Sequence, residues 1–442
     1  MCNFYIKIEK CRKIQFEMKY IIAIFEKNRT IQNIFIMQNT LSSLNKTACQ
    51  TPDGNLRGII GAVIGDIAGS RLEFQDRFAK YNFKMFGSGT KFTDDSIMTV
   101  AIADALMHGK DFQSSMLEWG HRYPNGGYAR YFRKWLKSKS PEPYNSQGNG
   151  SGMRVSAVGF AAESLDEALA LAKETALPTH GSKDGIEGAQ AIAAAIFLAK
   201  QKTPKAEIKK YIETTFSYYL DGSTEDIQKM VPQLLDFQRS QALFTTPFAI
   251  TAFLKGNDYE DVIRTAATYG CDTDTVACMA GGIAAAYYGV PLDLAKQAAD
   301  YISDDLLAII NEFDGMSLES RHITPKDIHE WSRECVIVYG RSVNEGENGE
   351  KGSFEVHNVR RNHFPREGYA VRTIGADIKE TVEDVNALIA YVNEHPEKVF
   401  LVMQVGIGKA GIPVGEIAPL FEPLRGKSNV YLPAEYIEYY DR

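Results

Sequence analysis

Two short runs place oxygen ligands at the start of helical patterns. Thr93-Asp94-Asp95 precedes an apolar helical stretch from Ser96 to His108, and Asp272-Thr273-Asp274-Thr275 opens another after Tyr269-Gly270-Cys271. Capping alone explains either run, because Thr and Asp at a helix start accept backbone N–H groups and suit the positive end of the dipole. For Thr93-Asp94-Asp95 taken by itself, capping is the favoured reading. Capping needs only one such residue, however. Asp272, Asp274 and Thr275 together offer a hard divalent cation several oxygens from one tight turn. If the two helix starts face each other, they can hold two cations a few ångströms apart, as two-metal hydrolytic sites do.

Three further stretches bear on this chemistry. Gly61-Ala-Val-Ile-Gly-Asp66-Ile-Ala-Gly-Ser-Arg-Leu-Glu73 is an apolar helix with glycines at positions 61, 65 and 69, which suit close helix packing. Asp66 and Glu73 are charged exceptions on or just after it, and buried carboxylates are rare unless paired or metal-linked. Gly148-Asn149-Gly150-Ser151-Gly152-Met153-Arg154 leads into a helix near Val155. A flexible surface turn is the default for such a run, and backbone N–H groups aimed at phosphate are the functional alternative. Thr179-His180-Gly181 follows, with His180 either a ligand contact or an ordinary loop residue. Last, Gly406-Ile-Gly408-Lys-Ala-Gly411 follows the apolar run Val399 to Val405, the outline of a dinucleotide fingerprint. Pro413 and the lack of an acidic residue ending a second strand argue against it. A close-packed structural turn is favoured over binding of a nucleotide-like ligand.

These stretches sit in a chain long enough for one large domain and a smaller one. From Leu56 to Trp331 helical patterns succeed one another, with Ala and Gly on the apolar faces as a compact all-α core requires. Ser342 to Ser353 is polar and glycine-rich. Beyond it Tyr369 to Ile374 alternates, Ile378 to Asn393 is amphipathic, and Val399 to Val405 and Asn429 to Leu432 suit strands. The expected organisation is an N-terminal extension over 1–50, a mainly all-α domain over 51–337, a linker over 338–355 and a small α/β module over 356–442. The extension has no clean period and no signal-peptide form, and translation starting at Met37 is one explanation of it.

Of 442 residues, 44% are hydrophobic and 24% charged, with net charge −7, ordinary for a globular protein and without the basic footprint of a nucleic-acid binder. Six scattered cysteines form no CxxC pair, which argues against zinc and disulfides and for a reducing cytoplasm. No stretch of about 18 uncharged apolar residues occurs, so no membrane association is expected.

Together GDIAGSRLEF, FTDDSIMT, GNGSGMR, THG with GAQAIAAAI, and GCDTDTVACMAGGIAAAYYG resemble, in order over roughly half the chain, the ADP-ribosylglycohydrolase family. The resemblance implies a metal-dependent hydrolase acting on the glycosidic bond between ADP-ribose and a modified protein or small-molecule acceptor. It implies two Mg²⁺, or Mn²⁺, held by Thr93, Asp94, Asp95, Asp272, Asp274 and Thr275. Glu73, Asp95 and Asp274 become catalytic candidates, with Glu73 or Asp274 as base. Gly148, Asn149, Gly150, Ser151, Gly152 and Met153 would hold pyrophosphate and distal ribose, with His180 nearby, and Tyr128, Tyr131 or Phe132 would stack on adenine. The chain departs from similar bacterial proteins at Gln241 to Pro247, which replaces a Cys-Gln-Gly-Ser-Val-Pro-like loop and leaves acceptor specificity open. The alternatives are an inactive ADP-ribose-binding or structural protein, and an immunity protein that opposes an ADP-ribosylating toxin.

Overall fold

A computed structural model describes residues 54–73, 78–87, 89–324, 335–342, 354–357, 366–408 and 410–441. The N-terminal extension lies outside the described residues. Helices follow in the order α1 (Ile60–Ser70), α2 (Asp94–His108), α3 (Phe112–Arg122), α4 (Arg130–Leu136), α5 (Gly150–Met153), α6 (Ser156–Ala161), α7 (Leu165–Ala176) and α8 (Lys183–Lys200). Then come α9 (Lys205–Phe216), α10 (Thr224–Met230), α11 (Ala242–Lys255), α12 (Tyr259–Ala267), α13 (Thr273–Tyr287), α14 (Leu292–Ala299) and α15 (Asp304–Asp314). One apolar core runs through them from Leu56 to Leu318.

The centre of that core is the antiparallel pair α1 and α13. A Cβ added at Gly61 would come 2.3 Å from Ala285 Cβ, one at Gly65 2.1 Å from Ala277 O, and one at Gly69 2.5 Å from Thr273 O. Gly281 meets Gly61 O in the same way at 2.3 Å. In backbone contacts Gly61 meets Gly281, Gly65 meets Ala277 and Gly69 meets Thr273, so each step of four along α1 matches a step of four back along α13 and small residues fix the register as well as the spacing. Asp314, at the end of α15, closes the other end of α1: its Oδ1 accepts from Ile59 N at 2.8 Å and its Oδ2 from Ile60 N at 2.9 Å. Those are donors that a helix start otherwise leaves unmet.

The C-terminal region forms β1 (Val336–Ser342), β2 (Phe354–His357), β3 (Arg366–Ile374), α16 (Ile378–Glu394), β4 (Phe400–Val402), α17 (Val414–Phe421), β5 (Val430–Tyr431) and α18 (Ala434–Tyr440). The sheet order is β2-β3-β1-β4-β5, parallel except for β2, with Val338 opposite Tyr369 and Ile337 opposite Leu401. Val338, Phe400 and Val402 pack with Leu388 of α16, Phe421 of α17 and Tyr436 of α18. Leu401 and Tyr431 are buried on the other face, and burial on both faces is what continuous apolar strands require. β1 begins ahead of the linker expected at 338–355 and of the module expected from 356: its Val-Ile-Val-Tyr run is apolar enough to occupy the centre of the sheet. The later part of that linker, 343–353, lies outside the described residues. Residues 322–324 join the two parts, with Thr324 Oγ1 donating to Val402 O and Tyr431 O at 2.7 and 2.8 Å. Among the described residues no helix is long and apolar enough to cross a membrane.

Candidate active site

Helix α1 carries the two acidic helix heads. Asp66, fully buried, accepts from Thr93 N (2.8 Å), Thr93 Oγ1 (2.8 Å), Ser96 N (3.0 Å) and Ser96 Oγ (2.5 Å), tying the head of α2 to α1. One turn on, Gly69 lets the head of α13 lie against the α1 backbone, and Thr273 Oγ1 donates to Gly69 O at 3.1 Å. The two heads therefore meet: Thr275 Oγ1 donates to Asp95 Oδ2 at 3.3 Å, across 180 residues of sequence.

Capping accounts for part of this arrangement. Thr93 is the N-cap of α2 and accepts from Asp95 N at 3.3 Å. Asp272 holds the corresponding place before α13 and makes no side-chain cap bond; its Oδ2 instead accepts from Asn149 Nδ2 at 2.9 Å. Asp95 Oδ1 is buried with no hydrogen-bond partner. Oxygens of Asp66, Asp95 and Asp274 lie within 4.8 Å of one another, as do those of Glu73, Asp272 and Asp274, so Asp274 belongs to both groups. Asp66 is already engaged by four donors and is better read as the residue that positions α2.

The electrostatics are those of a site short of positive charge. Burial and the charges of Asp66, Asp94 and Asp272 push Asp95 well above the usual carboxylate range. Burial and the charges of Asp272, Asp95 and Glu73 do the same to Asp274. Glu73, the least buried of these acids, is pushed up to about 7 by burial and by Asp272 and Asp66. Carboxylates gathered this closely are compensated only by cations or by protons. An orphaned carboxylate oxygen and clustered carboxylates are donors of the kind that a hard divalent cation takes.

The glycine-rich stretch borders these acids. Gly150 to Met153 forms the short helix α5 within the run that reads as a glycine-rich loop, with Ser151, Gly152 and Met153 buried and Ser151 Oγ donating to Gly185 O at 2.6 Å. His180 is buried behind it. A Cβ on Gly150 would stand 2.9 Å from the ring, and His180 Nδ1 contacts Thr179 Oγ1 at 2.7 Å. Arg154 Nη2 donates to Thr179 Oγ1 at 2.8 Å, extending the chain of contacts inward. Gln241 to Pro247 is not a loop, since α11 begins at Ala242; its start nevertheless borders the site, with Asn149 N donating to Ser240 O and Ala242 N to Gln147 O, both at 3.0 Å.

Thr93, Asp95, Asp272, Asp274, Thr275 and Glu73 thus come together, with Gly148, Asn149 and Gly150 beside them. Asp94 stands outside both three-carboxylate groups, its Oδ1 3.2 Å from a Cβ built on Gly127. Of the aromatic candidates, Tyr128 and Phe132 are buried and Tyr131 is 73% exposed. The Tyr128 hydroxyl is buried without a partner and feels the charge of Asp94. Asp66 stands out in the sequence as a carboxylate in an apolar helix, which marks it as paired or metal-linked without naming its partners. Asn149 reads as part of the phosphate loop, and its bond to Asp272 has no sequence signal.

A family model described as ADP-ribosylglycohydrolase matches residues 53–321. The ADP-ribosylhydrolase ARH3 of Mus musculus is 27% identical over 283 residues, covering 49% of this chain and 75% of its own. That of Homo sapiens is 26% identical, covering 49% and 77%. The ADP-ribosylarginine hydrolase Tri1 of Pseudomonas putida (strain GB-1) is 26% identical over 263 residues, covering 52% and 70%. Matched over more than half its length, and carrying acid runs that meet on one helical platform, the chain belongs to the ADP-ribosylglycohydrolase family, whose members hydrolyse glycosyl bonds.

Proposed function

We propose that this chain removes ADP-ribose from a modified protein or a related small-molecule acceptor in a reaction that depends on two divalent cations, Mg²⁺ or Mn²⁺. The observation that carries the reading is the meeting of the two helix heads, with Asp274 shared between two carboxylate groups and Asp95 Oδ1 left without a partner. Thr93, Asp94, Asp95, Asp272, Asp274 and Thr275 are the residues that would hold the ions. Bound divalent cations supply charge that fixes vicinal hydroxyls and makes a water more acidic.

The protein's own groups do the rest. Glu73, whose carboxylate lies with those of Asp272 and Asp274, is the group that takes the proton of the attacking water. Asn149 steadies Asp272, and the backbone of Gly148 to Met153 receives the diphosphate, with His180 backing the turn. The Tyr128 hydroxyl, which feels the charge of Asp94, is a buried donor without a hydrogen-bond partner. The name of the Tri1 relative makes arginine-linked ADP-ribose the first acceptor to try.

The test is release of ADP-ribose from arginine- and serine-linked peptides, with Mg²⁺ and with chelator, alongside calorimetric counting of bound Mg²⁺. Asp274→Ala should lower turnover by at least about a thousandfold, reduce the number of ions bound and leave the helical circular dichroism intact. Wild-type turnover by Asp274→Ala, or full activity in chelator, would refute the assignment.

A further inference from the structure

Between the helical part and the C-terminal sheet lies a cavity of about 950 Å³, within the size range of small-molecule sites. One wall is the carboxyl edge of the parallel sheet: Tyr339 and Gly340 from β1, Val402 to Gln404 at the end of β4, and Gly408 beyond it. The chain leaves β1 towards β2 and β3 on one side, and leaves β4 towards β5 on the other. The cavity therefore opens where neighbouring strands send their connections in opposite directions. In open parallel sheets that crevice is the habitual ligand site, because the loops part there.

The glycine run beyond β4 divides between two tasks. Gly406, at φ +80°, packs against Ile412 and Ile417, which is the close-packed turn expected from sequence. Gly408 borders the cavity, and a Cβ there would meet nothing within 4 Å. The facing wall belongs to the helical part. Arg71, Lys84 and Lys91 bring positive charge to it, with Phe86 stacked on Tyr301 at 5.4 Å. Arg321 is paired with Asp300 through two bonds of 2.7 and 3.0 Å, and Glu435 and Glu438 of α18 also line the cavity, so its positive charge is confined to the wall of Arg71, Lys84 and Lys91.

From the cationic wall, the aromatic lining and the sheet edge together we infer that this cavity binds a nucleoside diphosphate, its phosphates towards Arg71, Lys84 and Lys91 and its base against Tyr301 and Tyr339. Several positive charges on one wall suit a diphosphate, and flat aromatic surface suits a base. The site is separate from the acid cluster, and its existence does not depend on the catalytic reading. It does share a segment with that cluster. Arg71, Lys84, Lys91 and Phe92 line the wall, and Glu73 and Thr93 lie within two residues of Arg71 and Lys91 in sequence. Within it Lys91 N donates to Ser70 Oγ at 3.1 Å and Arg71 Nη2 to Lys84 O at 2.8 Å.

Calorimetric titration of the full chain with ADP tests this, using inorganic pyrophosphate and adenosine as competitors. A binding event is expected that survives Asp274→Ala and weakens about tenfold or more in both Lys84→Glu and Gly408→Leu, which alter opposite walls without touching the acid cluster. No ADP binding at millimolar ligand overturns the inference, as does binding that Asp274→Ala abolishes and the two wall variants leave unchanged. Pyrophosphate competing as well as ADP overturns recognition of the base, and adenosine competing as well as ADP overturns the role of the cationic wall.

Discussion

Replacing Gly65 by alanine sets two well-known effects against each other. In a helix interior, alanine is better than glycine by about 0.5–1 kcal/mol, so an unconstrained Gly65→Ala would raise stability. At this position the new methyl would stand 2.1 Å from Ala277 O, 2.4 Å from Ala277 C and 2.8 Å from Cys278 N, all backbone atoms of α13. Carbon makes ordinary contacts at about 3.5–4 Å, so the two helices must part by more than an ångström. No flexible side chain is available to absorb the shift. Overpacking of this kind costs about 1–3 kcal/mol, and two rigid backbones place it at the upper end. The net loss should be about 2 kcal/mol, or several degrees of melting temperature for a domain of this size.

Catalysis should suffer more than stability. The displacement acts between the two helix heads and opens the 3.3 Å contact of Thr275 with Asp95, and an ångström of misplacement in a reacting geometry can cost about a hundredfold in rate. Thermal unfolding followed by circular dichroism, with release of ADP-ribose measured in parallel, reads both effects. Gly415→Ala in α17 is the control, because its methyl would meet only Tyr439 Cε2 at an ordinary 3.6 Å and should not destabilise. If Gly65→Ala melts at or above the wild-type temperature, the α1–α13 seam is not close-packed as described.

Four other outcomes follow from the same structure. Asp314→Ala leaves the buried N–H groups of Ile59 and Ile60 without acceptors and should cost about 2–4 kcal/mol in urea unfolding. Burial pushes Asp314 up to about 7 from 3.8, so the folded state holds its proton more tightly than the unfolded chain; the stability this gives is complete below about pH 4 and lost as pH rises through 7, and Asp314→Asn should remove that part of the slope. Asn149→Ala removes a bond to a carboxylate worth about 1.5–3 kcal/mol, so the melting temperature should fall by several degrees and turnover by about tenfold or more, and unchanged turnover would exclude a role in steadying Asp272. Asp95→Asn relieves repulsion in the acid cluster and should melt above wild type in chelator, whereas added Mg²⁺ should stabilise the wild type alone.

The acid runs, their places at helix starts and the small-residue face of α1 could all be read from sequence, because each is a local pattern with its own period. The C-terminal strands from Tyr369, Val399 and Asn429 announced themselves in the same way. What escaped depends on distant partners. Nothing local says that Asp66 will find donors at Thr93 and Ser96, or that Asn149 will reach Asp272 across 123 residues. β1 escapes a local reading because its apolar run abuts a polar, glycine-rich stretch that reads as linker, and only pairing with β3 and β4 makes it a strand. The turn at Gly150 to Met153 reads as flexible because glycines dominate it. It is held instead by burial and by the Ser151 bond to Gly185, neither of which the run itself encodes.

The position of the acids explains why the centre of the fold is so tightly built. Asp95, Asp272 and Asp274 are buried, close together and mutually repulsive, a combination that drives helix heads apart when cations are absent. Apolar burial alone is a poor restraint here, because it is non-directional and lets helices slide. Backbone-to-backbone contact at Gly61, Gly65 and Gly69 allows no sliding, and Asp66 adds four directional bonds on the α2 side. Asp314 fixes the opposite end of the same helix. A helix restrained at both ends and along one face can therefore hold its neighbours' carboxylates in a geometry they would not choose for themselves, and that is the condition under which they can bind cations without first rearranging.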